Sequence, residues 1–242
     1  MRLEKVQSFV LATINYGESD RIVSLFTLEH GRLSAFARKS RNSRKRFGAS
    51  LEMFARIEAY VGIKQGLSVL RQADILTLFP GIRAALPKIA YALYACELVN
   101  VMTPEGHPLP RLFRLLSAYL NRLEICEANE AERRFFEINL LNILGYRPSL
   151  ETCCRCGALF GDRGAMGQDN GEFTCGNCSA HGKPLSPLTL ERMLACLRTG
   201  TFGLVDFPEQ VLSQAGAALD DAIYVHAGRR LKSLDFIWET SV

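Results

Sequence analysis

Two groups of residues in this 242-residue chain carry chemistry by their type and spacing. Cys153-x-x-Cys156 and Cys175-x-x-Cys178 form two knuckles with eighteen residues between them. Four thiolates paired in this way close around one tetrahedral point at about 2.3 Å, the geometry zinc prefers. Cys154 inside the first knuckle and His181 just past the second could each replace a ligand. Both break the symmetry of the paired knuckles, so the four-cysteine set is the expected one. Such a site leaves no open position for water. One structural Zn2+ is therefore expected, holding a loop-rich segment too short to bury a core of its own.

The second group is the run Arg38-Lys39-Ser40-Arg41-Asn42-Ser43-Arg44-Lys45-Arg46. With Arg32 it places seven positive charges and no acidic residue between positions 32 and 46, while the chain as a whole is only +4, so the rest sums to −3. A local field of that density attracts polyanions, and serine and asparagine add hydrogen bonds to phosphate. Arg38, Lys39, Arg41, Arg44, Lys45 and Arg46 are the candidate nucleic-acid contacts.

Enzyme chemistry finds no foothold. No Gly-x-x-x-x-Gly-Lys-Ser/Thr loop, Gly-x-Ser-x-Gly elbow or His-Glu-x-x-His motif occurs. No histidine is followed two residues later by glutamate, and neither cysteine pair follows a proline, so a zinc deaminase is excluded. A thiol-disulfide centre would use one pair opening a helix after a strand, a context that does not precede Cys153. The start, Met1-Arg2-Leu3-Glu4-Lys5, has the wrong charge pattern for an export signal, and the apolar stretch at 89–102 is interrupted by Glu97 and too short to span a bilayer. A cytoplasmic, reducing location without membrane contact is expected, in which eight cysteines favour metal over disulfides.

These groups need elements to position them. Residues 8–14, 21–27 and 32–38 read as strands separated by Gly17-Glu18-Ser19-Asp20 and His30-Gly31. Period-two alternation then predicts a long strand over 51–61, with Phe54 and Tyr60 on its outer face, and a further extended run over 67–79. Arg32, Ser34, Phe36 and Arg38 share one face of the preceding strand. Five strands in about eighty residues suggest a small barrel, and a basic, aromatic barrel face is a platform for single strands. From Pro80 the spacing becomes helical, with helices expected near 82–96, 109–123, 128–144, 187–197 and 208–231. The fold class is α+β and multidomain: an N-terminal five-stranded barrel over 1–80, a helical domain over 81–150 and 185–242, and a zinc module inserted at 151–184.

In this order the pieces resemble the bacterial RecO family of recombination mediators. The resemblance rests on Gly17-Glu18-Ser19-Asp20-Arg21-Ile22-Val23, Leu25-Phe26-Thr27 with Gly31-Arg32-Leu33, the basic loop leading to Leu51-Glu52-Met53-Phe54, the cysteine knuckles, and Arg229-Arg230-Leu231-Lys232-Ser233-Leu234. It implies that the barrel is an OB-fold and that the protein acts in DNA repair by homologous recombination. It also implies binding of ssDNA and dsDNA, strand annealing without ATP hydrolysis, and work with RecR to help RecA replace single-strand-binding protein. The acidic tail of single-strand-binding protein would dock on the helical domain, where Arg111, Arg114, Arg133 and Arg134 are basic. Some members lack the cysteines, in keeping with a structural role for the metal. The rival expectation is an interaction adaptor without direct DNA binding, whose basic run only keeps a loop solvated.

Overall fold

The computed structural model describes residues 3–43, 45–178 and 183–240. The first unit comprises 1–127 and 231–242, the second 128–230.

Alternating buried residues build the strands of the first unit: β1 (Leu3–Tyr16), β2 (Asp20–Thr27), β3 (Gly31–Ala37), β4 (Arg56–Gly62) and β5 (Ser68–Thr77). They close into a barrel in the order β1-β2-β3-β5-β4, with β1 also paired to β4 and β3 parallel to β5. This is the five-stranded Greek-key arrangement of an OB-fold. Val10, Val23, Leu25, Ala35, Ile57 and Val61 fill its interior. Close to 25 cal/mol for each Å² of apolar surface removed from water makes this interior the main stabilising term.

The strand expected over 51–61 starts only at Arg56. Residues 45–55 turn instead of extending, and Phe47, Leu51 and Ala55 enter the barrel core from that segment, plugging one end. The alternation at 51–55 thus reflects a plug that must be apolar, not a pleat. Phe54 adopts a left-handed backbone (φ 53°) and is 2% exposed, under the Arg83 guanidinium at 4.4 Å from its ring centroid. It is no outward platform.

β3 meets β5 over only Ala35–Ser68 and Phe36–Val69. The rest of its edge is taken by residues 103–107: Gly106 N–H donates to Arg32 O at 2.9 Å, and Arg32 Nε donates to Thr103 O at 2.9 Å. A side chain at Gly31 would collide with the His107 carbonyl, 1.9 Å from where its Cβ would stand.

α1 (Pro80–Arg83), α2 (Leu86–Met102) and α3 (Pro110–Ile125) follow, each with proline in its first turn, where the missing N–H costs nothing. Glu97, the acidic residue in the apolar stretch, accepts the N–H groups of Lys232 (3.1 Å) and Ser233 (2.8 Å), capping a later helix of the same unit. Among the described residues no helix is long and apolar enough to cross a membrane.

The second unit contains α4 (Glu130–Leu144), the hairpin β6 (Gly167–Asp169) and β7 (Glu172–Thr174), α5 (Pro187–Thr199) and α6 (Glu209–Ala227). Asn129 caps α4 by accepting the Glu132 N–H, and Ser186 caps α5 by accepting that of Thr189. The helix expected over 208–231 stops at Ala227, where Gly228, left-handed at φ 64°, ends α6; a further helix that the sequence reading did not expect, α7 (Lys232–Thr240), lies beyond it in the first unit. Only glycine reverses the chain there without strain.

Candidate nucleic-acid interface and metal centre

The basic run leaves the end of β3 as a series of turns, held by the Gly17–Asp20 connection between β1 and β2. Asp20 Oδ1 accepts the Lys39 N–H at 2.6 Å, Ser19 O accepts the Arg41 N–H at 3.0 Å, and Arg41 Nη1 donates to Glu18 O at 2.8 Å. At its far end Arg46 donates from Nη2 to Arg38 O (2.8 Å) and from Nε to Ser43 Oγ (3.1 Å), while its guanidinium lies over Phe47 at 5.0 Å. Two of the candidate contacts, Arg41 and Arg46, therefore also build the loop. Arg38, Lys39 and Lys45 are exposed and make no side-chain hydrogen bond or ion pair among the described residues. Arg44 lies outside the described residues.

The face expected to carry Arg32, Ser34, Phe36 and Arg38 divides. Glu105 accepts from both Arg32 (3.3 Å) and Ser34, which withdraws those two side chains from any ligand. Phe36 remains half-buried, with Tyr16 edge-on at 5.8 Å and 57% exposed. The register places Ile14 opposite Ile22 and Ile22 opposite Phe36, so an outward apolar stripe crosses three strands beside the basic run. Sequence reasoning ended its first strand at Ile14 without giving that residue a role and missed Tyr16; carrying the strand two residues further would have placed the two on one face. Tyr60, the other expected platform, is half-buried with Lys5 at 5.8 Å from its ring.

In the second unit Cys153, Cys156, Cys175 and Cys178 bring their four sulfurs within 4.8 Å of one another. Cys156 Sγ and Cys175 Sγ are 3.6 Å apart, close to the edge of a tetrahedron with metal–sulfur bonds of about 2.3 Å. Each knuckle closes on its own backbone: Gly157 N–H donates to Cys153 O at 2.9 Å and Cys178 N–H to Cys175 O at 3.0 Å. The Cys175 backbone N–H, joined by those of Cys156 and Arg155, holds the Cys153 thiol down at about 6. Cys178 is pushed the other way, to about 12, because the Cys156 and Cys175 sulfurs bond its protonated form. Four sulfurs this close cannot all ionise by themselves, whereas a dication at their centre stabilises all four thiolates. The donor set fits a metal.

Cys154 is exposed and stands outside the cluster, its backbone N–H donating to Phe173 O at 3.0 Å. His181 lies outside the described residues. The β6–β7 hairpin supports the site: Arg155 reaches Asp169 Oδ2 at 2.7 Å and Cys178 O at 3.2 Å, bracing the two knuckles.

Of the four arginines expected to offer a docking charge, Arg133 and Arg134 are interior. Arg134 donates to Glu137 Oε2 (2.8 Å), Asp220 Oδ1 (2.6 Å) and Glu130 Oε1 (2.7 Å). Burial works against its charge, but Glu137 and Asp220 outweigh that and hold its pKa well above the ordinary value. Arg133 is buried in pairs with Glu130 at 3.0 Å and Glu137 at 3.6 Å. Arg111 and Arg114 are exposed.

Known families match nearly the whole chain. The family described as "Recombination protein O N terminal" matches residues 1–79, and "Recombination protein O C terminal" matches residues 83–235. The chain is 66% identical over 242 residues to the DNA repair protein RecO of Pelobacter propionicus, an alignment covering 100% of this chain and 98% of that protein. It is 47% identical over 234 residues to the DNA repair protein RecO of Geobacter sulfurreducens, covering 96% of each. To that of Myxococcus xanthus it is 37% identical over 233 residues, 95% of each. An OB-fold with a pinned basic loop, a helical unit with four clustered cysteines, and these matches over both parts lead to one conclusion: the chain belongs to the RecO family of DNA repair proteins.

Proposed function

We propose that this protein is a recombination mediator that binds ssDNA and dsDNA through its basic loop and anneals complementary strands without ATP. The observation that carries the reading is the loop itself. Its backbone is fixed by Ser19 and Asp20, while Arg38, Lys39 and Lys45 stand exposed and uncommitted among the described residues. Cations held in fixed positions on a barrel surface neutralise phosphates without first losing loop entropy. Neutralisation on two strands lowers their mutual repulsion, so complementary segments can meet. Tyr16 and Phe36 beside the loop offer ring faces on which unpaired bases stack without sequence preference.

On the same reading Cys153, Cys156, Cys175 and Cys178 hold one structural Zn2+, and the metal takes no part in the chemistry. The partners are RecR and the C-terminal tail of single-strand-binding protein, for which exposed Arg111 and Arg114 supply charge. RecA loading onto the coated strand is the indirect outcome, and the site of action is the bacterial nucleoid in the cytoplasm.

The test is annealing of two complementary oligonucleotides without ATP, by the wild type and by Arg38→Ala/Lys39→Ala/Lys45→Ala. These positions are chosen because Arg41 and Arg46 also hold the loop, so their removal would mix folding with binding. The expected result is rapid annealing that the triple variant loses. Equal annealing by both proteins places DNA elsewhere, and no annealing by either favours the adaptor.

A further inference from the structure

The plugged end of the barrel carries a cleft of about 470 Å³ that the phosphate-binding loop leaves unexplained. Thr13 and Asn15 of β1, Arg21 of β2, Met53 and Phe54 of the plug, and Arg83 of α1 line it. Barrel mouths and volumes of this size are where small ligands bind.

Three observations define what fits. Arg21 is in register with Asn15 on one side and Ala37 on the other, so it points toward the barrel axis at the rim. Its guanidinium makes no hydrogen bond or ion pair among the described residues, and its Nε is buried without a partner. A half-buried arginine left unpaired is costly unless something else accepts from it. Second, Arg83 is a fixed plane. It donates to Leu78 O (2.6 Å) and Met53 O (3.0 Å), pairs with Glu52 at 2.8 Å, and lies on the Phe54 ring, yet its side chain stays 29% exposed to the cleft. A flat guanidinium backed by an aromatic ring is a stacking surface. Third, the cleft adjoins the basic loop: Glu52 lines both it and the smaller depression of Ser40, Arg41 and Ser43. Asp20, next to Arg21, holds Lys39.

We propose that this cleft takes one unpaired base of a DNA strand whose phosphates lie along the basic loop. The base stacks on Arg83 while Arg21 donates to the acceptors on its edge. Asn15, whose amide both donates and accepts, adapts to any of the four bases. The carboxylates nearby are already engaged, Glu52 with Arg83 and Asp20 with the Lys39 N–H, so they do not repel the strand strongly. A paired base cannot enter without first being unstacked and unpaired from its duplex, which is costly. The cleft therefore selects single strands, and complementary pairing withdraws the base when annealing completes. This inference rests on the basic loop being the phosphate site.

The experiment measures fluorescence anisotropy of the full chain with a mixed-sequence single strand, its duplex, and the same strand made abasic. Arg21→Gln should lose about tenfold in affinity for the intact single strand, a typical loss for one stacked or hydrogen-bonded base, and nothing for duplex or abasic strand. Wild type should bind the abasic strand at least tenfold more weakly than the intact one, because removing the bases also removes the stacking on Arg83 and on Tyr16 and Phe36. That comparison needs no variant, so a folding defect cannot obscure it. Equal losses by Arg21→Gln on all three ligands would make Arg21 an ordinary phosphate contact. No loss on any, or no distinction by the wild type between intact and abasic strands, also overturns the proposal. The control Lys39→Ala/Lys45→Ala should weaken all three ligands; if it weakens none, it is the loop reading that fails.

Discussion

Asp20 Oδ1 receives the main-chain N–H of Lys39 at 2.6 Å, and Lys39 holds a left-handed backbone at φ 53°. A residue that opens the second strand thus fixes the conformation of a loop nineteen positions later. Hydrogen bonds to a charged acceptor are worth about 1.5–3 kcal/mol, and a left-handed non-glycine residue costs about 1–3 kcal/mol.

Asp20→Ala should therefore lower the stability of the first unit by about 2 kcal/mol in urea unfolding and weaken DNA binding through loop disorder. Adding Lys39→Gly in the Asp20→Ala background should restore part of the stability, because glycine reaches φ > 0 without strain. A double variant no more stable than Asp20→Ala would show that Lys39 carries no strain.

The salt dependence of binding counts phosphates. With about four or five contacts, log affinity for single strands should fall against log salt with a slope near −3, at about −0.7 per phosphate. Arg38→Ala/Lys45→Ala should reduce that slope by about 1.4 without changing the melting temperature, since neither side chain has a partner among the described residues. Arg46→Ala should change both slope and stability, because Arg46 also holds Arg38 O and covers Phe47. Titrations at several salt concentrations distinguish the two patterns.

Metal analysis should give one zinc per chain in the wild type and in Cys154→Ser, and none in Cys153→Ser. A strong chelator should unfold the knuckles and the β6–β7 hairpin they brace, lowering the melting temperature of the second unit. Retention of zinc by Cys153→Ser, or its loss in Cys154→Ser, would reassign the ligands.

Alkaline pH should destabilise the first unit through Cys96, whose thiol burial pushes up to about 12 from the ordinary 9.0. The unfolded chain releases this proton above pH 9 while the folded chain retains it. Stability present below pH 9 is therefore lost at up to about 1.4 kcal/mol per pH unit as the pH rises toward 12. Cys96→Ala should flatten the dependence between pH 9 and 10.5 in thermal melts, and an unchanged slope would assign it to other groups.

The barrel and the cysteine cluster were legible because each has a short-range signature. Val23, Leu25, Ala35 and Ala37 alternate with outward residues, and two Cys-x-x-Cys pairs need only local turns to meet. The plug was not legible. Leu51 and Ala55 keep period two while the chain turns, because the end of a barrel selects apolar residues for its own geometry and not for a pleat. Nor does a sequence show which charges are engaged. Arg133 and Arg38 look alike until Glu130 and Glu137 are placed around one and solvent around the other. The hairpin of the cysteine module did have a signal, the Asn170-Gly171 pair between Asp169 and Glu172, which favours a tight two-residue turn.

The contact of residues 103–107 with β3 bears on how copies of this chain tolerate one another. A barrel whose third and fifth strands meet over two residue pairs would leave the start of β3 with bare N–H and C=O groups, a template for strand addition by a neighbour. Arg32 O is already bonded to Gly106, the Arg32 and Ser34 side chains to Glu105, and the Gly31 backbone is pressed against His107 too closely to admit another strand. Crowding many copies together thus offers them no open β-edge there on which to polymerise, so high local concentration does not by this route become aggregation.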